Sequence, residues 1–217
     1  MNFEQARFNM IEQQIRPWDV LDQNVLDLLF SVRREEFVPA TRQSLAFADA
    51  EIPLGHGAVM LAPKIEAHAL QAVQVKKHES VLEIGAGSGY MAALLAAHAA
   101  HVTTVEIVPE LADMARSNLK RAQVDNVTVE TANGAGGLPA KAPFDVIVIS
   151  ASVPAVPKEV LAQLKVGGRL FVIVGEEPVM EAQLITRDSE SAFSTKTLFE
   201  TVTAPLTELT PAQKFTF

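Results

Sequence analysis

Five short apolar runs, each separated from the next by enough residues for a turn or a helix, constrain this chain more than any other feature. They are "VLEI" (81–84), "VTTVEI" (102–107), "VTVET" (127–131), "DVIVIS" (145–150) and "RLFVIV" (169–174). None sustains the apolar–polar alternation of a strand with one wet face. Each is therefore expected to be buried on both faces, as in a parallel sheet covered by helices. Helical stretches at Tyr90–Ala100, Pro109–Ala122 and Lys158–Leu164 fall between them, and this order predicts a doubly wound α/β sheet. Beyond Gly175, "EAQLITRD" and "STKTLFETV" are expected to close the sheet as an antiparallel hairpin.

Upstream of Ser80 the periodicity is helical. From about Glu4 to Phe37, the residues Phe8, Ile11, Ile15, Leu21, Val25, Leu28 and Leu29 recur at roughly i, i+3, i+4 and read as core-facing stripes, broken near Pro17. Pro39, Pro53, Gly55, Gly57 and Pro63 punctuate an irregular stretch, after which a helix resumes from Lys64 to about Val75. A chain of 217 residues is long enough to bury one large core. A single domain is expected, with an N-terminal helical extension and loop over 1–75 and an α/β core over 76–217.

Composition narrows the partners. A formal charge of −8 without a Lys/Arg-rich run argues against nucleic acid and anionic membranes as ligands. With no cysteine, thiolate catalysis and Cys-ligated zinc are excluded, and the five histidines show no HExxH-type spacing, so no metal site is expected. The opening "MNFEQARFNM" lacks the features of a secretory signal, and no apolar run reaches the ~20 residues of a membrane span. A soluble cytoplasmic protein is the expectation.

The chemistry concentrates where the first of the five strands runs into Glu83-Ile84-Gly85-Ala86-Gly87-Ser88-Gly89-Tyr90. A strand that ends in closely spaced glycines and then starts a helix makes a loop whose backbone a ligand can approach, beside the unpaired N–H groups of the helix start. In doubly wound sheets ligands bind at this end of the strands. Dinucleotide sites use G-x-G-x-x-G around a pyrophosphate, whereas this loop reads E-x-G-x-G-x-G. It resembles motif I of the S-adenosylmethionine-dependent methyltransferases. The next strand ends in Glu106, 21 residues beyond Gly85, where a carboxylate is placed to accept both ribose hydroxyls. The third leads into Asn133-Gly134, either an Asn-Gly turn or, as the same resemblance implies, the adenine contact, with Asn in place of a common acid.

A closer resemblance spans roughly Arg7 to Gly175. "EFVPA" (36–40), "AFADAEIPLGHG" (46–57), "VLEIGAGSGY" (81–90), "PFDVIVISASVPAVP" (143–157) and "LKVGGRLFVIVG" (164–175) together look like the protein-L-isoaspartate O-methyltransferase family, with a fainter match in the tail near "APLTEL". That resemblance implies a mostly parallel seven-stranded Rossmann-like sheet, S-adenosyl-L-methionine as donor, and a protein or peptide carboxylate as acceptor. It makes Glu83, Gly85, Gly87, Gly89, Glu106, Asn133 and Gly134 the donor-binding residues. An isoaspartyl carboxylate, with a pKa near ~4, is already ionised at neutral pH, so no general base is required and no catalytic residue is assigned.

The departures from the family lie on the acceptor side. Aligned on Gly57 and Pro63, the chain has Val59, Met60 and Leu61 where the family carries Thr, Ile and the Ser that helps hold the substrate carboxylate. Gly57, Val59 and Leu61 are the expected substrate-side residues. Either their apolar run faces the acceptor pocket, or it packs into the core with a shifted loop. "QQIRPWDV" (13–20), which includes the only tryptophan, Trp18, also departs from the family and is expected to reshape the same side. Ser150, Ser152 and His56 are weaker candidates, and Thr207 and Gln213 resemble tail residues that reach the cofactor in relatives. Two alternatives stay open: an unidentified small or more apolar acceptor, and a cofactor-binding protein that has lost catalysis.

Overall fold

The computed structural model describes residues 2–207. In chain order the named elements are α1 (Phe3–Met10), α2 (Gln23–Ser31), β1 (Ile52–Gly55), β2 (Ala58–Met60), α3 (Pro63–Val73), β3 (Ser80–Ile84), α4 (Tyr90–Ala96), β4 (His101–Glu106), α5 (Pro109–Arg121), β5 (Val127–Thr131), β6 (Phe144–Val153), α6 (Lys158–Leu161), β7 (Leu164–Glu176), β8 (Val179–Arg187) and β9 (Phe193–Thr201).

The seven strands from β3 onward form one sheet in the order β5-β4-β3-β6-β7-β8-β9. Pairing is parallel from β5 through β7, and β8 and β9 add antiparallel neighbours, which is the closing hairpin expected from the tail. The lack of polar alternation in the strands has a direct cause. Leu82, Ile147, Ile149, Leu170 and Val172 belong to one buried cluster, while Val81, Val146, Val148, Phe171 and Ile173 belong to the other. Successive side chains point to opposite faces, and both faces are covered. The exception is β5, where the expectation of double burial fails because it is an edge strand whose residues are half-buried or exposed.

The N-terminal stretch is helical, but in pieces. A π-helical turn at Ile11–Ile15 and a 3-10 turn at Arg16–Trp18 separate α1 from α2, and the chain reverses at Asp19, whose φ is +60°. Pro17 cannot continue the helical ladder, so the interruption falls where the sequence places it. Gln71 of α3 then secures the turn, accepting from the amides of Leu21 and Asp22 and donating to the carbonyl of Asp19. Trp18 packs against His68 of α3 and Phe199 of β9, with the Lys64 ammonium 3.9 Å from its ring centroid. Burial holds the His68 imidazole below its usual pKa.

Two expectations are corrected. The stretch punctuated by Pro53, Gly55 and Gly57 contains an antiparallel hairpin, β1–β2, with Ile52 opposite Met60 and Pro53 opposite Val59. Its turn carries three successive left-handed residues, Gly55, His56 and Gly57, and two are glycine because that conformation excludes most side chains. Helices α4 and α6 stop at Ala96 and Leu161, short of the expected Ala100 and Leu164. Leu164 already belongs to β7, because it pairs with Phe144 of β6. Among the described residues no helix is long and apolar enough to cross a membrane.

Candidate functional site

The loop between β3 and α4 lies at the carboxyl end of β3, an interior strand flanked by β4 and β6. Gly85, Gly87 and Gly89 all have positive φ, at 95°, 50° and 82°. The loop is pinned from β4: the amides of Gly85 and Ala86 donate to the Val105 carbonyl at 2.9 and 3.2 Å. Glu106 continues the restraint, its Oε2 accepting from the Gly87 amide at 2.9 Å and its Oε1 from the Val108 amide at 3.1 Å. One carboxylate thus holds the glycine loop while facing the cleft.

That cleft encloses about 640 Å³ of empty space, part of it open to solvent, and it gathers most of the expected residues. Gly57 and Val59 of the hairpin, Gly85 and Gly87 of the loop, Glu106, and Asn133 with Gly134 all line it. A side chain at Gly134 would come within 2.8 Å of Ile84 Cγ2, so this glycine is required by packing under the cleft floor. Asn133 uses its Oδ1 to accept from the Ala135 amide at 2.9 Å, the turn geometry its sequence allowed; a second lone pair on that oxygen is left for a ligand.

Three of the expected residues stand elsewhere. Gly89 makes its closest approach to another helix: an added Cβ would sit 3.2 Å from the Ala115 backbone, so this glycine lets α4 pack on α5. Glu83 lies beneath the loop, fully buried, accepting from Thr104 Oγ1 at 2.6 Å and Ser150 Oγ at 3.0 Å. Burial raises its pKa to about 8, against the opposing pull of those two hydroxyls. Leu61 is buried at the back of the hairpin, and its carbonyl accepts from Arg34 Nη2 at 2.6 Å.

The weaker candidates also separate. Ser150 lines the cleft. Ser152 is 1% exposed and structural, its backbone pairing with Ala204 and Leu206 and its hydroxyl donating to the Thr203 carbonyl. That pairing brings the tail residues Ala204–Thr207 across the cleft, so Thr207 lines it; Gln213 lies outside the described residues. His56 sits exposed at the hairpin turn and does not line the cleft, and Trp18 is turned toward α3 and β9. Glu66 was not singled out by the sequence. An acid in the first turn of a helix ordinarily reads as a dipole partner facing water, yet this one is 2% exposed and paired with a fully buried Arg34.

A family model described as protein-L-isoaspartate(D-aspartate) O-methyltransferase matches residues 5–210. A protein-L-isoaspartate O-methyltransferase of Rhodopseudomonas palustris is 41% identical over 198 residues, covering 91% of this chain and 91% of its own. Among solved structures, one protein-L-isoaspartate O-methyltransferase, 25% identical with a TM-score of 0.79, covers 92% of this chain, which spans 65% of that longer one. A second, a protein-L-isoaspartate O-methyltransferase from Plasmodium falciparum in complex with S-adenosyl-L-homocysteine, shares the fold with a TM-score of 0.79 at 21% identity, covering 96% of this chain and 99% of its own.

Proposed function

Because the chain belongs to the protein-L-isoaspartate (D-aspartate) O-methyltransferase family, we infer that it transfers a methyl group from S-adenosylmethionine to the carboxylate of an isoaspartyl residue in a protein or peptide. The observation that carries this for the present chain is Glu106, which both lines the cleft and restrains the glycine loop through Gly87. Such an acid suits ribose hydroxyls, and the exposed loop backbone suits close approach of the methionine portion. Asn133 and Gly134 suit the adenine end. The donor supplies a methyl already activated on a sulfonium, so the chain's own task is to position two reactants and exclude water. In this proposal residues 1–75 supply the acceptor side of a single domain, the rest supplies the donor side, and the setting is cytoplasmic.

The direct test incubates the protein with labelled S-adenosylmethionine and an isoaspartyl peptide beside its aspartyl control, before and after chelator treatment. Label entering the isoaspartyl peptide alone, undiminished by the chelator, is the expected result. No transfer to the isoaspartyl peptide would overturn this acceptor.

Transfer is expected to be slow, for a structural reason. The hairpin wall of the cleft consists of Gly57, Ala58 and Val59, with no hydroxyl, and Leu61 fills the position behind it. A hydrogen bond to a charged group is worth about 1.5–3 kcal/mol. The change Val59→Thr, at the position of the two that lines the cleft, should therefore raise kcat/KM for the isoaspartyl peptide roughly tenfold or more. Efficient turnover by the unaltered protein would show that the missing hydroxyl is no handicap. If both forms bind donor and neither methylates the peptide, the same apolar wall favours a smaller or more apolar acceptor.

A further inference from the structure

Behind the glycine loop a second, smaller void separates it from the hairpin and α3. Its walls include Leu61, Glu66, Glu83, Ser88 and Ser150, and it adjoins the main cleft at Val59, Gly85 and Gly87. There is room in it for little more than one water-sized group. Two buried carboxyl groups face that space.

The charges around it do not balance. Arg34, fully buried, pairs with Glu66 Oε2 and also donates to the carbonyls of Ala46 and Leu61, with the Tyr90 ring 5.0 Å away. None of these hydrogen bonds goes to Glu83. Glu83 has only the Thr104 and Ser150 hydroxyls, while Glu66 Oε1 accepts no hydrogen bond among the described residues. The other groups nearby add no cation: Glu106 faces Glu83 from β4, the buried Tyr90 hydroxyl of α4 has no partner, and Arg7 is paired with Glu35. One buried guanidinium therefore stands against two buried carboxyls. Buried charges persist only when paired, so the second carboxyl needs either a proton or a cation.

We propose that Glu66 is a donor-binding residue, and that with Glu83 it takes the α-ammonium of the S-adenosylmethionine methionine portion into this void while the pair releases a proton. An ammonium group has the size of the void and the charge the site lacks, and it arrives beside the loop at which void and cleft meet. Burial raises the pKa of Glu66 to about 7, with Arg34 opposing, and that of Glu83 to about 8, so near neutral pH the ligand-free pair has a proton to give up. The proposal rests on S-adenosylmethionine being the donor.

The test is calorimetric and needs no turnover. S-adenosylhomocysteine is titrated into the full-length protein at about pH 7 in phosphate and in Tris, whose protonation enthalpies differ widely. The expected result is a buffer-dependent heat corresponding to release of about one proton, fading as the pH is raised past about 9. The desamino analogue, which lacks the α-ammonium, should bind about tenfold or more weakly and release none. In Glu66→Gln, which keeps an acceptor for Arg34, both the proton release and the preference for the amino ligand should shrink. Binding without buffer dependence between about pH 6 and 8, or equal affinity for the two ligands, overturns the proposal while leaving the donor intact. Absence of binding by either ligand overturns the donor assignment and this inference together.

Discussion

Raising the pH from about 5 to about 9 is expected to destabilise the ligand-free protein through Glu83, and the Glu83→Gln variant should be spared most of that loss. Glu83 is 0% exposed and has two hydroxyl partners but no cation. Its pKa is raised from 4.5 to about 8, chiefly by burial. A group whose folded pKa lies above its unfolded value contributes stability that is whole below the unfolded pKa and is lost as the pH climbs through the folded one. The window is therefore from about 4.5 to about 8. At about 1.4 kcal/mol per pH unit, the stability difference between variant and wild type should widen across that window by on the order of 4–5 kcal/mol. Gln cannot ionise, and its amide can meet the Thr104 and Ser150 hydroxyls, so the comparison isolates the charge. Urea unfolding of both proteins at about pH 5, 7 and 9 measures it. Curves that stay parallel would mean that Glu83 is charged, or solvated, throughout.

Replacing Glu106 with Ala should weaken S-adenosylhomocysteine binding by about 1.5–3 kcal/mol, or roughly ten- to a hundredfold. Two losses combine. The ribose contact proposed for this carboxylate disappears, and the Gly87 amide loses the acceptor that holds it at 2.9 Å. Glu106→Gln separates them, because a neutral amide oxygen still accepts from Gly87 while the charge is gone. Its affinity is expected between those of wild type and the Ala variant. A thermal melt confirms that each variant is folded, and calorimetry reads the affinity. Wild-type affinity in the Ala variant would place the ribose contact elsewhere.

Much of this architecture was legible in the chain because its signals are local. A strand buried on two faces loses the apolar–polar alternation of a strand with one wet face, so β3, β4, β6 and β7 stand out in the sequence even though β3 buries Glu83 and β4 buries Thr103 and Thr104, and two covered faces imply helices on both sides. Pro17 marks the break between α1 and α2 through its own missing N–H. The glycines after β3 and the acid ending β4 are likewise a matter of backbone freedom and of position at the end of a strand. The hairpin at 52–60 escaped notice because its strands have only four and three residues, too few for a period, and its turn glycines read equally well as irregular loop.

What only the tertiary structure decided depends on partners far apart in the chain. Gly85, Gly87 and Gly89 look alike in sequence, yet two line the cleft and the third admits α5, because Ala115 arrives there from another helix. Ser150 and Ser152 differ by two residues on one strand, yet one bonds Glu83 beside the cleft and the other is tied down by a tail 51 residues later. Glu66 reads as an ordinary first-turn acid until Arg34, 32 residues earlier, is buried against it. A local pattern specifies period, punctuation and backbone permissiveness, because those are properties of neighbouring residues. The role of a side chain is set by its dielectric surroundings and its partners, and those exist only after distant segments have packed.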